Sequence, residues 1–215
     1  MLIASVDEII YYRSMPIPAD IKKIRARISR YERNWKKPDF DDGSGSRFLI
    51  GPLYLLLGDT EGALAHYKWY AKKFETYSFE PFHALGWALA MYRAKQPEEA
   101  IYRLRCAHCA NVYILPALLK VAHGQPDVKR ASNWQEEEYI NNGPQEFLNL
   151  WQPEELAWLK SVWEGQEFRE FVQMHSDLVR KISDEPVGPR RSALVDALHA
   201  MPVKDGIKRH GSTSH

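Results

Sequence analysis

The stretch GPLYLLLGDTEGALAHYKWYAKKF, Gly51 to Phe74, constrains the fold more than any other part of the chain. It reads as two apolar helical segments hinged on Gly58-Asp59-Thr60, because a glycine ends a helix where the backbone must turn left-handed. One such hairpin cannot bury its own apolar face, so further helices must stack on it. No segment of the chain alternates at period two for long enough to make a strand. The expected fold is therefore all-α.

The remaining helices follow from spacing. Ile21, Ile24, Ile28, Tyr31 and Trp35 make one apolar stripe, and a helix is expected over residues 18–37, with Pro18 in its first turn. A short helix is expected over 1–14. PDFDDGSGS reads as a loop. Hairpins are expected over Ser46–Leu57 with Thr60–Phe74, and over Pro81–Ala94 with Pro97–Ala110. Val112–Ala122, Glu146–Trp151, Pro153–Trp163, Glu167–Ile182 and Ser192–Ala200 read as further helices. The polar stretch 123–145, with two Gly and two Pro, reads as an irregular connection, and 201–215 as a frayed tail. These elements make one domain over residues 1–200: N-terminal helices to 45, hairpins over 46–122, the connection, and C-terminal helices over 146–200.

Composition bounds the class. With 45% hydrophobic residues, 12% aromatic residues and seven Trp, 215 residues bury a substantial core. The net charge of +1 leaves nucleic acid to be decided by local clustering. The two cysteines, Cys106 and Cys109, exclude a disulfide framework and fit a reducing compartment. No signal peptide is visible, and the longest apolar run, Phe48 to Leu57, is about half a membrane span. The expectation is a cytoplasmic protein without a membrane partner.

Two repeats carry a resemblance. Arg47-x2-Ile50-Gly51-x2-Tyr54 is followed by Ala63-x3-Tyr67, and 37 residues on Ala84-x2-Trp87-Ala88-x2-Met91 is followed by Ala100-x3-Leu104. The small residues fall in register, Gly51 with Ala88 and Ala63 with Ala100. Over residues 46–112 this resembles the tetratricopeptide repeat. It departs from that pattern where Arg47 replaces an aromatic residue and where the closing proline is missing. The resemblance implies stacked α-hairpins forming a short superhelix, with 18–37 capping the front and the later helices continuing or capping the back. It also implies a protein-binding adaptor, chaperone-like or regulatory module whose first helices line a groove. That face carries Phe48, Leu55, Phe82, Leu89, Tyr92 and Arg93. With one charge among them, it suits an apolar peptide or helix rather than a carboxylate. The other reading of the same face is that the chain fills it itself.

A second surface lies in IKKIRARISRYERNWKK, where Lys22, Arg25, Arg27, Arg30 and Arg33 oppose Glu32 alone on the helix. It marks an alternative function, association with nucleic acid, with Tyr31 and Trp35 available for base stacking. The competing reading is a solvated face that pairs with Asp39, Asp41 and Asp42 or with Glu136, Glu137 and Glu138. Cys106 and Cys109 share a helix face from which His108 points away; with no second Cys/His pair at suitable spacing a zinc site is incomplete, and buried cysteines are expected. No nucleophile elbow, phosphate loop, zinc-protease motif or dinucleotide fingerprint is present. Glu98-Glu99 and Glu154-Glu155 follow prolines at helix starts, where they favour the helix dipole. No enzymatic activity, cofactor or metal is expected. Trp69 and Trp87 are expected in the core, Trp134 and Trp151 to pin the irregular stretch, and Trp158 or Trp163 to be partly exposed.

Overall fold

The computed structural model describes residues 17–43, 45–74, 80–123 and 132–201. Among them are eleven α-helices and no strand. The helix expected over 1–14 and the tail from 202 lie outside the described residues. The first described helix, α1, is Ile21–Asn34. Its start lies beyond Pro18 because the Asp20 carboxylate accepts the Lys23 N–H at 3.0 Å and caps it there. Ile24, Ile28 and Tyr31 are buried, and this stripe packs on α2. The loop after α1 is organised by Asp42, whose carboxylate accepts the backbone N–H groups of Ser46 and Arg47 and pairs with the Arg47 guanidinium at 3.1 Å. It thereby satisfies two of the donors that open α2.

Two hairpins form the centre. The first joins α2, Ser46–Leu56, to α3, Thr60–Lys73. The second joins α4, Pro81–Arg93, to α5, Pro97–Ala110. Their turns are built alike. Gly58 has φ +71°, its N–H donates to Leu55 O, and the Asp59 N–H donates to Tyr54 O. Lys95 has φ +60°, its N–H donates to Tyr92 O, and the Gln96 N–H donates to Met91 O. Each atom of the second turn lies 37 residues after its counterpart in the first. The second helices keep that offset at both ends, Thr60 to Pro97 and Lys73 to Ala110.

Small residues let the hairpins close on each other. A Cβ added at Gly51 would lie 2.5 Å from the Tyr67 ring, and one at Gly86 would lie 2.7 Å from its hydroxyl. Tyr67 thus occupies the space between α2 and α4, fully buried and stacked on Trp87 at 4.9 Å. Ala63, Ala88 and Ala100 are also fully buried. Arg103 lies over the other ring system of this core, 3.4 Å from the Trp87 centroid, and pairs with Glu99 at 2.8 Å. Trp87 is core as expected, whereas Trp69 is half-buried.

Among the later helices, those expected over Val112–Ala122 and Glu146–Trp151 are shorter than the sequence suggests, and the last three run slightly longer. α6 is Ile114–Leu119 rather than Val112–Ala122. The Asn111 side chain accepts the Tyr113 N–H at 2.8 Å and holds a turn before it, and Lys120 at φ +53° ends it. Within the stretch read as irregular, Asn133–Gln135 is a 3-10 turn and α7 spans Glu137–Asn141. α8 is Gln145–Leu148, α9 is Pro153–Glu164, α10 is Gln166–Asp184 and α11 is Pro189–Ala200. α10 buries Phe168, Phe171 and His175, and it contacts α5. α11 packs on α10 and has no buried residue.

Candidate functional site

The face expected to form an apolar groove is occupied by the chain itself. Phe48 is 5% exposed and meets Trp134 edge-on at 5.5 Å. Phe82 is 1% exposed against Tyr139 at 6.0 Å and Phe147 at 6.4 Å. Leu55 and Leu89 are buried in the same core. Tyr92 is half-buried and stacks on Trp158 at 4.3 Å. Arg93 donates to both Glu155 oxygens, at 2.7 and 3.1 Å, and to Leu150 O at 2.9 Å. Residues 134–158 therefore cover Phe48, Phe82, Tyr92 and Arg93 of that face.

That covering segment is fixed by polar contacts as well as rings. Glu80, almost fully buried, accepts the Phe82 and His83 N–H groups and the Tyr139 hydroxyl, the last at 2.9 Å. The Asn111 amide donates to the carbonyls of Trp134 and Glu136. Glu155 also accepts the Gln152 N–H at 2.8 Å, closing a capping box at the start of α9. Trp151 is buried, and Trp158 and Trp163 are both half-buried. In the sequence Glu155 stands out only as an acid at a helix start. Its partner is 62 positions away, and no local signal reports it.

The outer face of α1 is exposed among the described residues. Lys22, Lys23, Arg25, Arg30 and Arg33 are exposed and Arg27 is half-buried. Among the described residues no carboxylate forms an ion pair with Lys22, Lys23, Arg25, Arg30 or Arg33. The acids expected to neutralise them are used elsewhere or stand apart. Asp42 holds the start of α2, Glu137 lies 3.8 Å from His123, and Asp39, Asp41 and Glu138 are exposed. Glu32, the one acid on the helix, accepts the Tyr54 hydroxyl at 2.7 Å. The expected stacking aromatics are engaged. Tyr31 is buried, and Trp35 packs against Phe40, Trp69 and Phe74, with Lys73 over its ring at 5.0 Å.

The histidines are structural in their surroundings. His66 donates to Arg47 O at 2.9 Å and His83 to Phe48 O at 3.2 Å. Burial lowers His66 to about 4, partly opposed by its backbone bond, and lowers His83 well below the usual imidazole range. His108 and His175 face each other between α5 and α10 with ring centroids 5.1 Å apart. Burial lowers them to about 3 and about 4, His175 adding to the shift at His108. Burial also pushes the Cys106 thiol up to about 12 and raises Cys109. Among the described residues no group of three His, Cys, Asp or Glu is placed to hold a metal ion, and no helix is long and apolar enough to cross a membrane. No family model, curated protein or solved structure matches the chain.

Proposed function

We propose that the chain is a non-catalytic binding module, built as a short tetratricopeptide-like stack of two hairpins and closed on its first-helix side by its own residues 134–158. The repeated turn supports the repeat reading, since two helix ends 37 residues apart use the same backbone bonds and the same left-handed position. The interaction reading of the sequence carries over to a different surface. An apolar peptide has no place on a face already filled by Trp134, Tyr139, Phe147 and Trp158. The observation that carries the proposal is the outer face of α1, whose exposed cations have no carboxylate partner among the described residues. Such a face attracts a negatively charged macromolecule and speeds its encounter.

Affinity capture tests it. The tagged wild-type chain and the variant Arg25→Glu/Arg30→Glu are used side by side, with and without nuclease. A partner held by the wild type and lost from the variant is the expected result. Equal capture by both places the working surface elsewhere.

A further inference from the structure

Building on that reading, we infer that the partner of α1 is double-stranded DNA, entered at the major groove. The argument rests on how the face is laid out. At about 100° per residue, the buried stripe of Ile24, Ile28 and Tyr31 sets one side of the helix. Directly opposite it run Lys22, Ala26, Ser29 and Arg33, all exposed. Arg25 stands on one flank of this midline, and Lys23 and Arg30 on the other. Short side chains at the middle, Ala26 and Ser29, allow the backbone close to a groove floor. Long cationic side chains on both flanks then reach the phosphates of both strands.

The dimensions agree. Fourteen residues rise about 21 Å, and a major groove about 12 Å wide admits one helix. Other anionic partners fit less well. A single strand is gripped by open aromatic platforms, but Tyr31 is buried and Trp35 is enclosed by three rings and Lys73. A-form RNA has a major groove too narrow and deep for a helix. An acidic helix would meet one stripe of cations and gain nothing from small residues at its centre.

The test uses the full chain and three labelled probes in fluorescence anisotropy: a mixed-sequence DNA duplex of about two helical turns, one of its strands alone, and poly-glutamate. The duplex is expected to bind most tightly, with affinity falling steeply in salt. Arg25→Ala/Arg30→Ala/Arg33→Ala is expected to reduce the magnitude of the salt slope by about three. Ala26→Trp keeps every charge and is expected to weaken the duplex about tenfold while sparing poly-glutamate. Circular dichroism and urea unfolding confirm that these exposed substitutions leave the fold intact. Duplex binding no tighter than the strand or poly-glutamate, a triple variant with an unchanged slope, or a harmless Ala26→Trp overturns the inference. Poly-glutamate bound through the same arginines without duplex binding overturns it and leaves the binding-module reading standing. Failure of all three probes removes both.

Discussion

Replacing Glu155 by Ala cuts the one ion pair between the covering segment and the hairpins among the described residues. The carboxylate is 5% exposed and receives three hydrogen bonds, two from Arg93 and one from the Gln152 backbone. Removing one member of a buried pair costs about 3–5 kcal/mol, because the remaining charge loses its compensation. Arg93 is 21% exposed and keeps its bond to Leu150 O, so water and that carbonyl offset part of the loss. The lost cap at α9 adds about 1 kcal/mol. The expected destabilisation is therefore about 3 kcal/mol, read as a lower urea midpoint with an unchanged slope. Arg93→Met combined with Glu155→Leu is expected to recover most of it, since an apolar pair leaves no orphaned charge. A change below about 0.5 kcal/mol in Glu155→Ala would refute the reasoning. It would mean that the Arg93–Glu155 pair does not hold α9 on the face of α4 in solution.

Three further perturbations follow. Gly51→Ala is expected to cost at least about 2 kcal/mol in urea unfolding, because the new methyl meets the buried Tyr67 ring at 2.5 Å. Lys95→Gly is expected to gain up to about 1 kcal/mol by relieving a left-handed backbone at φ +60°, measured as a raised Tm. Acid is expected to destabilise the fold in the window set by its buried histidines. Burial depresses His66 and His175 to about 4 and His108 to about 3, so below about 6.5 the unfolded chain takes up protons that the folded chain refuses. Stability is full above that pH and is lost as pH falls through it toward about 3. Urea titrations across the window measure the slope, and His108→Phe/His175→Leu is expected to flatten it.

Local patterning made the helices legible, and distance in the chain hid much of the site. The 3.6-residue stripe of α1 and the glycine hinge at Gly58 are written in adjacent residues, so their structure could be read directly. The irregular stretch concealed its role because Trp134, Tyr139 and Phe147 are spread along a polar sequence with no period. Only the fold brings them to Phe48 and Phe82. Trp134 does pin that stretch, through its ring on Phe48 and its carbonyl on Asn111, but nothing nearby indicates that the pinning closes the groove face. Arg93 illustrates the same limit. It reads as the single charge of a binding surface, and its partner 62 residues on makes it an internal tie. The cations of α1 were equally ambiguous, because acids close in sequence, such as Asp42, proved to be committed to capping.

The way α10 joins the body has a kinetic consequence. Phe168, Phe171 and His175 are its buried residues, all in its first ten positions, and the distal half meets α11, which buries nothing. His108, on the opposing helix, has both ring nitrogens buried without a hydrogen-bond partner among the described residues, a standing desolvation cost at that seam. A unit attached this way opens at lower free energy than the hairpins beneath it. Amide protons of α11 and distal α10 therefore exchange ahead of those in α2–α5. Among the described residues, the linker around Val187, 94% exposed, is expected to be cut by a protease ahead of the hairpins. The distal half of α10 and α11 are thus expected to open together as a leaf on a firmly closed book.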